Sequence, residues 1–166
     1  SERMRRLGTT SPKLGFIAER DIDVVLATIM KHRPGLVILD SIQTLLSTAA
    51  NGEAGSVQQV RLVTNMVMQA AKSLNIPMIL IGHVTKDGSM AGPKSLEHLV
   101  DTVLYLEGDP LEDIRLLRSV KNRFGTTQTV GVLRFTESGF ETVDDASTLF
   151  LGSRKAAPGV MATVIL

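Results

Sequence analysis

Apolar positions along this chain recur with two different periods, and the order in which those periods alternate predicts its architecture. Between Asp21 and Arg33 the side chains Ile22, Val25, Leu26 and Ile29 fall on one helical face, and Pro34-Gly35 stops the helix. Leu36-Val37-Ile38-Leu39 is a continuous apolar run ending in Asp40-Ser41, the pattern of a strand buried on both faces of a parallel sheet. A loop of small and polar residues follows, Ser47 to Gly55, with Asn51-Gly52 and Gly55 as breakers. Ser56 is placed to cap a long helix, and Gln59, three positions on, completes a capping box. Val57, Val60, Val63, Val67, Ala70, Ala71 and Leu74 give that helix its buried stripe.

Pro77 opens the next strand, Met78-Ile79-Leu80-Ile81, which ends in Gly82-His83. A second loop, Lys86 to Ser95, carries the turn pairs Asp87-Gly88 and Gly92-Pro93. Asp101 to Leu106, Ile114 to Val120 and Thr129 to Phe135 then read as three successive strands. Gly108-Asp109-Pro110 and Phe124-Gly125 make the turns between them, and Glu137-Ser138-Gly139 turns a further short strand, Phe140 to Val143. Alternating helix and strand followed by a meander predicts an α/β fold. Its sheet is mixed, with a parallel core, antiparallel edge strands and helices on both faces.

Composition narrows the class. The chain has 166 residues, 43% of them apolar, which is enough for one domain with a sizeable core and argues against disorder. No apolar run approaches the roughly 18 residues of a membrane span, and the charged start, Ser1-Glu2-Arg3-Met4-Arg5-Arg6, leads into no signal-peptide core. A soluble, cytoplasmic protein with no membrane partner is the expectation. The absence of cysteine removes disulfides and thiolate metal sites. His32 and His98 read as helix-surface residues without metal-ligand spacing, so a zinc site is not expected. Net charge is only +1, so any affinity for nucleic acid has to come from local basic patches. One Tyr, five Phe and no Trp leave little for a base-stacking platform. The chain opens as though inside a charged helix and closes on the apolar run Gly159 to Leu166, which reads as a piece of a longer protein.

The chemistry is concentrated at strand ends, where open α/β sheets bind their ligands. Asp40 closes an apolar strand, the arrangement in which a carboxylate holds the Mg²⁺ that bridges nucleotide phosphates. The same carboxylate would also serve as the cap of a following turn. His83, at the tip of the next strand, is either a γ-phosphate sensor or a satisfied structural histidine. Lys121 and Arg123 stand two residues apart at a third strand end, where alternation would point them the same way. Two converging cations suit a polyphosphate, and they also suit an ordinary basic strand end. In the loops that follow the strand tips, Lys86 and Lys94 offer phosphate contacts to nucleic acid, or are plain solvated charges.

These blocks together resemble the RadA (Sms) family of bacterial DNA repair proteins. The resemblance is carried by Leu36-Val37-Ile38-Leu39-Asp40-Ser41-Ile42-Gln43-Thr44, by Gly55-Ser56-Val57-Gln58-Gln59-Val60-Arg61, and by Gly82-His83-Val84-Thr85-Lys86-Asp87-Gly88. Ala91-Gly92-Pro93, the run from Leu96 to Tyr105, and Lys121-Asn122-Arg123-Phe124-Gly125, the family's distinguishing motif, complete it. It implies a RecA-like ATPase of the P-loop NTPase type that assembles as a hexameric ring on single-stranded or branched DNA. Such a motor drives branch migration or unwinding of recombination intermediates together with the recombinase RecA. On this sequence Asp40, with Ser41, resembles the Walker-B position that holds Mg²⁺ through water. His83 resembles the sensor, and Lys121 with Arg123 resembles the pair that reaches a neighbouring subunit's ATP. The loops beginning near Ser47 and Lys86 resemble the two DNA-facing loops.

The family also has parts that this sequence does not carry: a four-cysteine zinc finger, which alone would use zinc, a P-loop, a catalytic glutamate and a Lon-protease-like domain. No G-x-x-x-x-G-K-[ST] occurs in the chain. The resemblance therefore implies a partial RecA-like ATPase domain over residues 1–146, without its P-loop strand. Residues 147–166 would be a linker and the start of the Lon-like part. A chain lacking the phosphate cradle is expected neither to bind ATP tightly nor to hydrolyse it. Two other readings stay open: a RecA-like nucleotide switch that forms rings without DNA, and a non-catalytic interaction module.

Overall fold

Asp21 starts the first helix, α1 (Ile22–His32), by accepting a 2.8 Å hydrogen bond from the Asp23 N–H through its side chain. Arg33 closes it, in the left-handed conformation (φ 46°), and its N–H bonds the Ile29 carbonyl. The stop thus falls one residue ahead of Pro34-Gly35, because the residue before a proline is driven out of the right-handed helical region. These details come from a computed structural model, which describes residues 11–83, 96–108 and 112–144.

Strand β1 (Val37–Asp40) follows, then a 3₁₀ turn (Ile42–Thr44) and the long helix α2 (Val57–Leu74). Helix α2 carries the chain over to β2 (Met78–Ile81), which pairs with β1 in parallel, Val37 opposite Met78 and Asp40 opposite Ile81. The core is built from Ile22, Val25 and Ile29 of α1, Val60, Val63 and Val67 of α2, and Val37 and Leu39 of β1, with Ile42, Leu45 and Ile76 closing its ends. Both described helices therefore lie against the same face of the strand pair. On the other face Ile38 is 58% exposed and Ile79 49%. The expectation that this strand is buried on both faces needs correcting: only alternate residues meet the helices, as the two-residue period of a strand requires. Helices covering the second face are not among the described residues.

The remaining strands, β3 (Thr102–Glu107), β4 (Ile114–Asn122), β5 (Val130–Thr136) and β6 (Gly139–Thr142), form a sheet in chain order. β4 and β5 are antiparallel, with Ile114 opposite Arg134, and β5 and β6 pair Phe135 with Phe140. Those two rings sit 5.2 Å apart in a tilted arrangement. Gly139 takes φ 129° at the hairpin, a conformation that favours glycine. Arg118 on β4 bonds Glu107 on β3 at 2.9 Å.

The parallel-then-antiparallel order is as the pattern predicts: among the described residues β1 and β2 form a parallel pair and β3 to β6 a four-stranded sheet. The chain correspondingly divides into two compact units, one of residues 11–103 and one holding the described residues from Leu104 onward. Among the described residues no helix is long and apolar enough to cross a membrane.

Candidate functional site

Because β1 and β2 are parallel and in register, their carboxyl ends lie side by side, and each ends in a side chain of interest. Asp40 is the last residue of β1, and His83 stands two residues beyond β2. The His83 Nε2 lies 4.0 Å from the Asp40 Oδ1, with the two side chains 71% and 65% exposed. At that distance and exposure the pair contributes little to stability, so its geometry is available for chemistry rather than consumed by folding. One exposed carboxylate at a strand tip fits Mg²⁺, which keeps most of its waters and needs one or two protein oxygens beside the phosphates it bridges. Among the described residues no group of three or more His, Cys, Asp or Glu could hold a metal by itself. Asp40 would thus hold Mg²⁺ only as part of a site completed by nucleotide and water.

Behind this pair the backbone is fixed from below. The Asp40–Ser41 peptide is cis, and Ser41 is buried. Its carbonyl accepts from the Thr44 N–H at 3.1 Å and from the Thr44 hydroxyl at 2.8 Å, which winds the chain into the 3₁₀ turn. Gln43, inside that turn, reaches across and donates its Nε2 to the His83 carbonyl at 2.9 Å. The two strand tips are thereby tied by a side chain that the sequence reading leaves without a role.

The loop after this turn is organised by a second glutamine. Gln59 is 1% exposed, and its Oε1 accepts from the Ser47 N–H at 3.0 Å. Its Nε2 donates to the carbonyls of Ser47 (3.0 Å) and Ala50 (2.7 Å), with Gly52 further off at 3.5 Å. The capping box is therefore only half formed. The Ser56 hydroxyl accepts from the Gln59 N–H at 3.4 Å, but the Ser56 N–H bonds the Glu53 carbonyl instead of the Gln59 side chain. The Gln59 oxygen that the box would offer to the Ser56 N–H is taken instead by the buried Ser47 N–H, which has more to lose from going unpaired. The only hint in the sequence is a glutamine beside the valines of the helix's buried stripe.

An open cleft of about 420 Å³ lies between Glu19–Asp21 and this loop. The Asp21 and Arg20 N–H groups donate to the Glu19 carboxylate at 3.0 and 2.6 Å and hold it below the usual carboxylate range.

Lys121 and Arg123 belong to the other unit, so the two candidate groups are described separately. Strand β4 runs two residues past Val120 and ends at Asn122, which leaves Lys121 on the strand and Arg123 in the turn beyond it. The alternation argument therefore reaches Lys121 but stops short of Arg123. Arg123 is instead carried by a turn in which the Asn122 Oδ1 accepts from the Phe124 N–H at 3.0 Å. Phe124 is 83% exposed at its tip. Lys86 and Lys94 lie outside the described residues.

The architecture is that of a RecA-like α/β protein. It is similar to a RadB recombinase (TM-score 0.54, 24% identity, 74% of this chain and 59% of that one). It is also similar to a KaiC-like protein from Pyrococcus horikoshii (TM-score 0.55, 16% identity, 86% and 63%). By sequence the chain is a relative of the RadA DNA repair proteins. It is 46% identical to that of Mycolicibacterium smegmatis over 169 residues, covering 99% of this chain and 36% of the relative. The RadA of Aquifex aeolicus is 41% identical over 157 residues (95% and 35%), and that of Synechocystis 50% over 142 residues (86% and 28%). The chain thus spans about a third of the length of these curated relatives. No protein-family model matches it.

Proposed function

We propose that this chain is part of an ATP-driven motor for recombinational DNA repair, and that its two units serve two different nucleotides. The observation that carries the reading is the Asp40–His83 pair, 4.0 Å apart and solvent-facing at adjacent parallel strand tips, in a relative of RadA. Asp40, supported by Ser41, holds Mg²⁺ through water, and His83 senses the γ-phosphate. Bound magnesium neutralises charge on the phosphates during transfer. Lys121 and Arg123 extend to the ATP of the adjacent subunit in a hexameric ring and stabilise the charge of the transferred phosphoryl group there. The loops Ser47–Gly55 and Lys86–Ser95, the latter through Lys86 and Lys94, face single-stranded or branched DNA. The whole protein works beside the recombinase RecA in the cytoplasm. Residues 1–146 belong to the motor domain and 147–166 lead toward a Lon-like part. Without a phosphate cradle, the 166-residue chain alone does not hydrolyse ATP.

The test is made in the full-length protein. Arg123→Ala is expected to lower DNA-stimulated ATPase by about 10³-fold or more, the scale of a lost arginine finger, while ATP affinity stays within a few-fold. Mixing Arg123→Ala subunits with subunits that carry the finger but a disabled Asp40 should restore part of the activity. Loss of ATP binding without such rescue would overturn the trans role. ATPase activity indifferent to DNA would favour a ring-forming nucleotide switch instead.

A further inference from the structure

Gln43 is a buried amide whose nitrogen is bonded and whose oxygen is not. It is 9% exposed, its Nε2 donates to the His83 carbonyl at 2.9 Å, and its Oε1 is buried with no partner. The amide lies against Gly82, where an added Cβ would stand 3.7 Å from Nε2 and 4.0 Å from Oε1. Its orientation is dictated by chemistry. Exchanging the amide oxygen and nitrogen would set two acceptors against each other at the His83 carbonyl. An aliphatic side chain would fill the same space without stranding an acceptor, so packing alone gives no reason for an amide here. What the amide adds is one donor, aimed at the backbone of His83 from a residue 40 positions away.

We infer that Gln43 is a positioning residue that clamps the tip of β2 to the turn after β1 and so sets His83 against Asp40. Asp40 and His83 sit at the ends of separate strands, and the side chain of each is mostly exposed. Strand pairing stops at Asp40 opposite Ile81, so the backbone of Gly82 and His83 has already left the ladder. Beyond that point the Gln43 bond ties it to the turn after β1. The clamp matters only to chemistry at His83, and in that respect it rests on the sensor role proposed above.

The experiment uses the full-length protein with Gln43→Leu and Gln43→Met, which keep the bulk and remove the donor, alone and combined with His83→Ala. In the single variants kcat for ATP hydrolysis should fall at least tenfold, with KM for ATP and the melting temperature little changed. Backbone amide exchange in the peptide containing Gly82 and His83 should accelerate, while exchange in α2 stays as it is. In the His83→Ala background the same substitutions should cost less than twofold, because a residue acting through His83 has nothing left to position. Equal losses in both backgrounds, or unchanged exchange at Gly82–His83, would overturn the clamp. If His83→Ala alone leaves kcat unaltered, the sensor role fails, and the exchange measurement still decides the clamp.

Discussion

Residues 11–103 and the meander that follows are stabilised in different ways. The first unit closes two helices over one face of a parallel pair and contains all of the buried apolar side chains of the described residues, from Ile22 to Ile76. The meander buries none of its described residues, and Leu104, Leu106, Phe135 and Phe140 are each more than half exposed. What orders it is the hydrogen-bonded ladder together with cross-strand contacts such as Phe135–Phe140 and Arg118–Glu107. Asp40 and His83 therefore stand on a packed base that tolerates little change. Lys121 and Arg123 stand on a sheet whose order depends on pairing and turn geometry. A group that must hold its own nucleotide benefits from the first arrangement. One that must reach outward is compatible with the second.

The contrast breaks most easily at the level of packing. Ile42→Ala, at a position 1% exposed directly behind Asp40, should destabilise the protein by about 2–5 kcal/mol, measured as a shift in denaturant midpoint. Leu117→Ala, half-buried on β4, should cost roughly 1–2 kcal/mol, in proportion to the smaller area it removes from water. Equal losses at the two sites would mean that the meander has a core of its own, and the comparison would have to be redrawn.

A smaller effect sharpens the first half of the comparison. Gln59→Leu preserves bulk in the core but strands the Ser47 N–H and the carbonyls of Ser47 and Ala50. A cost of about 1–3 kcal/mol is expected, tempered by any water that reaches the loop. Amide exchange should accelerate across Ser47–Gly52 before it does in α2. Uniform loosening of both segments would show that Gln59 acts through the helix rather than through the loop.

How much of this was legible in the sequence follows from the range over which each feature is encoded. The helices are local, so the run from Asp21 to Arg33 was readable as one and Ser56 as the cap of the next, and the apolar runs placed β1 and β2 to within a residue. The convergence of Asp40 and His83 was legible too, because parallel strands joined by a helix bring their carboxyl ends together. The two glutamines were not. Gln59 spends its amide on a loop as far as 12 residues away and Gln43 on a carbonyl 40 residues away, and no local period records such partners. The single open face of β1 was also hidden, since an apolar run looks the same whether one face is covered or both. The end of the strand was hidden for a related reason: the alternation argument for Lys121 and Arg123 took the strand to continue through both, and it stops between them.

That stop leads to the smallest of the predicted effects and the one most specific to the meander. Asn122 ends β4 by accepting from the Phe124 N–H, and the bond lies in an exposed turn, so Asn122→Ala should cost only about 0.5–1 kcal/mol. Asn122→Asp keeps the acceptor and should cost less. If the direction of Arg123 is set by this turn, as its position just outside the strand implies, the alanine variant should weaken DNA-stimulated ATPase in the full-length protein by several-fold while aspartate retains most of it. The same two variants should leave ATP affinity alone, because the unit that holds Asp40 and His83 is untouched. A loss of activity that tracks the small loss of stability in both variants alike would instead make Asn122 a plain turn residue, with Arg123 aimed by something else.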